Sequence, residues 1–211
     1  PNVRQPPVLC THLACADDLK DPMTLEQVGI IRESAGKIGL DMSIANSAGI
    51  LFWPDSVAQW NRPGYMLYGL CPTGSTDARP HGLRPAMTMR SEIIAIRNIA
   101  AGEGVGYGHD WVADRPSKIG AIAIGYGDGY PRHAPSGTPV LVNGQRVALT
   151  GRVSMDAISV DLTDLEKAEV GDPVELWGQN LSVNELASRA GTIGYEILAG
   201  LTGRVPVFHT E

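Results

Sequence analysis

The apolar residues of this chain change their repeat partway along it, and that change limits the folds open to it. Before Tyr68, short apolar runs alternate with segments of helical spacing; beyond Pro85, apolar side chains recur at roughly every second position. Residues 8–12 read as a short buried strand. Asp21-Pro22 then offers an N-cap with proline at the first helical position, and Leu25, Val28, Ile31 and Ala35 share one face, flanked by Ile30. Gly36 is placed to end that helix in a left-handed cap. Residues 40–45 read as the next strand, Asn46-Ser47-Ala48 as a turn, and residues 55–59 as a short helical piece before Tyr65–Tyr68. Such alternation predicts parallel βα units, whose ligand-binding ends lie at the strand C-termini.

Proline and glycine crowd residues 72–85, which places a domain boundary near Gly82 and divides the chain into 1–82 and 83–211. In the second part Met87, Met89, Ser91, Ile93 and Ala95 fall on one side of a strand, with Thr88, Arg90, Glu92 and Ile94 on the other. Residues 119–124 form an apolar strand. Residues 140–147 read as a hairpin around Asn143-Gly144, the pair a type I′ turn favours. Ser182-Val183-Asn184-Glu185 has the spacing of a capping box, predicting one helix to Ser188 or Arg189 before Gly191 on a mostly β domain. No internal repeat is evident.

Composition narrows the function. The 211 residues are 43% hydrophobic and 19% charged, which is ordinary for a globular chain. A net charge of -6 with no cluster of Lys or Arg argues against a nucleic-acid partner, which demands a basic face. No apolar run approaches the roughly 20 residues of a membrane span, and Pro1-Asn2-Val3-Arg4 lacks signal-peptide form. Cys10, Cys15 and Cys71 are an odd number at no framework spacing, as expected of a reducing, cytoplasmic setting. Cys10-x-His12-x-x-Cys15 presents thiolate and imidazole, but a structural zinc site wants four ligands and no second pair follows, so no metal is expected.

Two glycine-rich runs stand out: Gly125-Tyr126-Gly127-Asp128-Gly129-Tyr130-Pro131-Arg132 and Gly151-Arg152-Val153-Ser154-Met155-Asp156. The first superficially suggests a phosphate loop, but it lacks the Gly-Lys-Ser/Thr ending and runs into Pro131. Together the two runs resemble alanine racemases. Thr11-His12-Leu13-Ala14, Ala45-Asn46-Ser47-Ala48, Asn61-Arg62-Pro63-Gly64, Leu67-Tyr68-Gly69, Val105-Gly106-Tyr107-Gly108, Gly194-Tyr195-Glu196 and Arg204-Val205-Pro206 agree in chain order, so the resemblance covers nearly the whole chain. It implies α/β plus mainly-β architecture: the last strands and helices of a TIM-like (β/α)8 barrel, then a β-rich C-terminal domain. The family's cofactor lysine lies in a Lys-Ala-x-Ala-Tyr-Gly-His-Gly run near the front of the full protein, and no such run occurs here. Lys20, Lys37, Lys118 and Lys167 all sit in polar or turn-like contexts. The chain is therefore expected to be the back portion of a racemase. Its barrel part, with only about three of the eight units, is expected not to fold stably alone.

The resemblance assigns roles. Tyr107 is implied as a catalytic base; on its residues alone it also fits a turn tyrosine covering a domain edge. A free phenol has a pKa near 10, so such a base needs a nearby cation or donated hydrogen bonds. Arg62 is implied to donate to the pyridine nitrogen of pyridoxal phosphate. There a guanidinium, unlike the usual carboxylate, leaves the ring nitrogen unprotonated and favours reprotonation over transamination. Pro63 restricts Arg62 to extended conformations. His12 is implied to accept a hydrogen bond from Arg62 and orient it, with a buried strand histidine as the alternative. Asn46, Ser47, Gly64 and Tyr195 are implied as the phosphate cradle, needing only amides, hydroxyls and helix starts. The Met155 N–H is implied to meet the substrate carboxylate, and Tyr126 to narrow the site entrance. Asp128 and Arg132 read as local structure.

The resemblance further implies a homodimer in which Tyr107, Tyr126 and Met155 serve the partner's cofactor, and L- and D-alanine as substrates of a two-base reaction completed by the absent lysine. Alone, the chain is expected to be inactive. Ser43, Asn61, Ser154 and Trp111 depart from the commonest family residues, and Asn61 and Trp111 bear on pocket shape. Two other readings stay open. One is a broad-specificity racemase, marked by turnover of lysine, arginine or methionine; the other is a non-catalytic module that binds a protein partner and no pyridoxal phosphate.

Overall fold

A computed structural model describes residues 6–209 of the chain, so Pro1–Arg4, read above for signal-peptide form, lies outside the described residues. The chain divides into two compact units between Ala86 and Met87. Among the described residues no helix is long and apolar enough to cross a membrane.

The first unit is built on a βαβ arrangement. Strand β1 (Leu9–Cys10) pairs in parallel with β2 (Met42–Ser43), and helix α1 (Met23–Ile38) connects them. Both strands are shorter than the apolar runs suggested. The pairing nonetheless extends past the ladder, through Leu9 N–H to the Asp41 carbonyl at 2.8 Å and Thr11 N–H to Ser43 at 3.1 Å. On the far side of β2, Trp60 N–H donates to Met42 at 3.1 Å and Arg62 N–H to Ala45 at 2.9 Å, so residues 60–62 run alongside like a third strand.

The Asp21 carboxylate accepts from Met23 N–H at 2.9 Å, capping α1 with Pro22 in its first turn. The helix ends at Gly39 (φ 65°), three residues beyond the expected Gly36, because Gly39 is the glycine that takes the left-handed conformation. Its buried face is Thr24, Val28, Ile31 and Ala35. Leu25 is a correction to the expected face: it lies one position round and is 51% exposed, and Ile30 is exposed as well. Val28 and Ile31 pack with Leu13, Ala16, Ile44 and Ala48. After β2, Asn46 opens helix α2 (Ser47–Phe52), its Oδ1 accepting from Gly49 N–H at 2.9 Å. The helical piece expected at 55–59 is a 3-10 turn at Pro54–Ser56, and a second occupies Tyr65–Tyr68.

The second unit is a closed six-stranded barrel. Its strands are β3 (Met89–Ile99), β6 (Ser117–Ile122), β7 (Pro139–Val142), β8 (Gln145–Leu149), β9 (Ile158–Asp161) and β10 (Pro173–Trp177), joined in the order β10-β3-β6-β9-β8-β7. Closure leaves this sheet no open edge. Ile93, Ile122, Val140, Leu149, Ile158, Val160 and Leu176 are among its fully buried side chains. The expected alternation along β3 holds to Ile93 and then breaks: the register to β6 shifts between Ile93 and Ala95, so Ala95 is exposed, while Ile99, on the same face, is buried by a separate cluster with Val105, Ala113 and Ile119. A bulge of this kind moves every later side chain to the opposite face.

A small hairpin of β4 (Gly104–Val105) and β5 (Trp111–Val112) stands apart from the barrel ladder. Between β7 and β8 the Asn143-Gly144 turn has φ of 52° and 76°, the signature of type I′. Helix α3 (Val183–Ala190) starts with the Ser182 hydroxyl accepting from Asn184 N–H at 3.2 Å and ends at Gly191. Its capping box is only half formed, because Glu185 pairs with Arg146 at 2.6 Å instead of reaching back. A second helix, α4 (Gly194–Ala199), corrects the expectation of one; at six residues it is too short to carry a periodic signal.

Candidate active site

The sequence-marked residues fall into two groups, one in each unit. In the first, the C-terminal ends of β1 and β2 converge on Arg62. Its Nη1 donates to the Ser43 hydroxyl at 2.6 Å and the Ser43 carbonyl at 3.0 Å; its Nη2 donates to the carbonyls of Thr11 at 2.7 Å and Ile44 at 3.3 Å. The Cys10 thiol sits 3.5 Å from Nη1. These acceptors are all uncharged, and no carboxylate pairs with Arg62 among the described residues. Nε–H alone of the guanidinium nitrogens has no acceptor there, so a fixed cation with one nitrogen left to donate faces the strand ends.

Sequence reasoning placed His12 as the partner that orients Arg62. The described residues form no such bond: His12 is exposed, just past the end of β1, and backbone carbonyls with Ser43 satisfy the guanidinium instead. Ser43 is the residue the sequence missed, noted above only as a departure from family habit. Asn61, another departure, ties the preceding turn, its amide donating to the Ala58 carbonyl at 2.9 Å and accepting from Ala58 N–H at 3.2 Å.

Ser47 is buried, and its hydroxyl accepts from Met66 N–H at 3.1 Å, which leaves its own proton free to point elsewhere. Asn46 spends its side chain on capping α2. The N–H groups of Ser47 and Ala48, in the first turn of α2, have no acceptor among the described residues. Gly64 N–H turns back to the Arg62 carbonyl at 2.9 Å, so Gly64 offers an open backbone in place of the expected donor. Cys15 lies beside Asp21, whose carboxylate pushes its thiol pKa up. Among the described residues no three or more His, Cys, Asp or Glu side chains cluster as metal ligands would.

The second group is Tyr107, Tyr126 and Met155, and their loops interlock. Tyr107 opens a 3-10 turn, Tyr107–His109, between Gly106 and Gly108, both at positive φ, and the residue is 68% exposed. Behind that turn the Arg152 guanidinium grips the Asp110 carboxylate through two nitrogens. Tyr126 N–H donates to the Ser154 carbonyl at 3.0 Å and Gly127 N–H to the Met155 carbonyl at 2.9 Å. Any side chain at 125 would collide here, since a Cβ would lie 2.3 Å from the Met155 oxygen. The rigid glycine spacing that marks the first run is thus imposed by the second. Tyr126 and Met155 are both exposed, and Met155 N–H has no acceptor among the described residues. Asp128 is structural, as its sequence suggests, accepting from Gly125 N–H at 2.9 Å and pairing with Arg204. Tyr195 stands at the start of α4 in this unit and is partly exposed.

Comparison with known proteins matches residues 3–72 to the model of the alanine racemase N-terminal domain and residues 86–209 to that of the alanine racemase C-terminal domain. The chain is 51% identical over 201 residues to the biosynthetic alanine racemase of Pseudomonas aeruginosa, covering 94% of this chain and 55% of that protein. It is 50% identical to the alanine racemase of Shewanella amazonensis, covering 98% and 57%. The crystal structure of the Pseudomonas aeruginosa biosynthetic enzyme superposes with a TM-score of 0.91 at 48% identity, over 98% of this chain and 58% of that one. That of the Bartonella henselae alanine racemase, solved with covalently bound pyridoxal phosphate, gives 0.86 at 34% identity, over 93% and 55%. The chain spans little more than half the length of these relatives.

Proposed function

The chain belongs to the alanine racemase family, and on that premise we propose that it supplies part of a pyridoxal-phosphate enzyme interconverting L- and D-alanine, working with a lysine-bearing front segment. The observation that carries this reading is the setting of Arg62: a guanidinium locked by neutral acceptors with Nε–H left to donate. A guanidinium keeps its proton, so this donor suits a ring nitrogen that stays unprotonated.

The residues present fit the cofactor. Arg62 Nε–H would meet the pyridine nitrogen; the Ser47 hydroxyl with the Ser47 and Ala48 N–H groups would meet the phosphate, with Asn46 shaping the helix start and Gly64 leaving room. We add the Tyr195 hydroxyl to that cradle and assign His12 no part in holding Arg62. Bound there, pyridoxal phosphate draws electrons from the substrate Cα and makes its hydrogen acidic.

The remaining work falls to side chains of the second unit. Tyr107 removes or returns the Cα proton on one face, and the lysine of the front segment serves the other; inversion needs a proton-handling group on each. Met155 N–H, free of any acceptor among the described residues, receives the substrate carboxylate, and Tyr126 restricts access. The 68% exposure of Tyr107 supports a role outside its own unit. We therefore extend the proposal to a homodimer in which these three residues complete the partner's site, in the cytoplasm, the reducing setting that an odd number of cysteines at no framework spacing suits. Completing the chain with the front segment of the Pseudomonas aeruginosa relative and assaying alanine racemisation tests the reading. The completed protein should racemise alanine and the 211-residue chain alone should not; activity in the isolated chain, or none in the completed one with cofactor bound, refutes it.

A further inference from the structure

Arg204 carries no role in the sequence reading, yet it joins the two runs that bear the substrate-facing residues. Its Nε lies 3.2 Å from Asp128 Oδ1 and its Nη2 2.6 Å from Asp156 Oδ1. Asp128 belongs to the Tyr126 loop, is largely buried, and holds Gly125 N–H with its other oxygen. Asp156 directly follows Met155. The guanidinium lies close against the loop: a Cβ at position 127 would sit 2.3 Å from Arg204 Nη1 and 3.0 Å from the Met155 oxygen, so this approach suits glycine. Thr202 adds to the tie, its hydroxyl donating to the Gly127 carbonyl at 2.8 Å.

The Ser154 carbonyl and Met155 N–H are opposite ends of one planar peptide unit. Anchoring that carbonyl on Tyr126 N–H, and the next one on Gly127 N–H, sets the direction in which Met155 N–H points. The loop that provides both anchors is itself fastened to residue 156 by Arg204.

We propose that Arg204 is a positioning residue for carboxylate recognition: through Asp128 and Asp156 it holds the Met155 amide at a fixed aim. The proposal rests on the function argued above. Arg204 is half exposed and Asp156 more so, and ion pairs of that kind contribute little to stability. Losing the clamp should therefore loosen aim without unfolding the barrel.

In the completed enzyme, Arg204→Met is expected to raise KM for L-alanine about tenfold, the cost of one weakened hydrogen bond to a charged group, with kcat held within about twofold. Asp156→Asn, which spares the Asp128 arm, should shift KM the same way by less, and it carries the test should Arg204→Met fail to fold. Arg204→Lys should recover part of the loss. Arg115→Met, removing an exposed pair with Asp164 in the same unit, should leave KM unchanged. Unchanged KM in the Arg204 and Asp156 variants beside an active parent overturns this role alone, whereas an inactive parent overturns the functional reading beneath it.

Discussion

The Ser43 hydroxyl accepts a 2.6 Å hydrogen bond from Arg62 Nη1, so a buried side chain on β2 fixes the cation at the strand ends. Hydrogen bonds to charged groups are worth about 1.5–3 kcal/mol. Ser43→Ala leaves the carbonyl contacts, so the guanidinium stays but wanders. Pyridoxal phosphate should then bind the completed protein about tenfold more weakly, as read by titration of cofactor absorbance. Equal affinity in parent and variant would mean that Ser43 does not set the aim of Arg62.

Much of this was legible beforehand. The period change separated the βα unit from the barrel, and Asn143-Gly144 declared its hairpin, because turn chemistry is local. The extent of α1 was less legible: Gly36 and Gly39 are equal candidates until tertiary packing selects which one turns left-handed. The β3 bulge and the two-nitrogen grip of Arg152 on Asp110 were invisible, since each depends on segments distant in the chain. In the site, resemblance named Arg62, Tyr107 and Met155, but Ser43 and Arg204 emerged only when folding brought their partners beside them. Among the described residues His12 makes no hydrogen bond to Arg62, whose two Nη groups are held by Ser43 and backbone carbonyls.

Two glycine substitutions should act in opposite senses. Gly125→Ala drives a methyl into the Met155 and Ser154 carbonyls, and a rigid contact of that kind should cost about 2–4 kcal/mol. Gly29→Ala, inside α1 with nothing within 4 Å of the added Cβ, should stabilise by about 0.5–1 kcal/mol. Urea unfolding of the completed protein compares them; a harmless Gly125→Ala would show that the two loops are not tightly packed.

Tyr130 is buried, its ring stacked 6.4 Å from that of Trp177, and its hydroxyl has no hydrogen-bond partner among the described residues. Burial pushes its pKa up, so the folded state favours the neutral phenol. The sign follows: this contribution is complete below the unfolded tyrosine value of about 10 and is lost as pH rises beyond it. Tyr130→Phe removes an unsatisfied polar group and should match or exceed the parent by about 1 kcal/mol at pH 7. It should also flatten the alkaline decline in thermal stability above about pH 10. A steeper decline in the variant would contradict this.

The most direct test of the account follows the alanine Cα hydrogen in deuterated water. In the completed enzyme, Tyr107→Phe should slow wash-in of deuterium from solvent into L-alanine by at least about 100-fold, the scale of general acid–base catalysis, while wash-in into D-alanine continues through the lysine on the other face. If both enantiomers exchange as in the parent, or both lose exchange to the same degree, Tyr107 is not the proton-handling group of one face and the two-sided assignment is wrong.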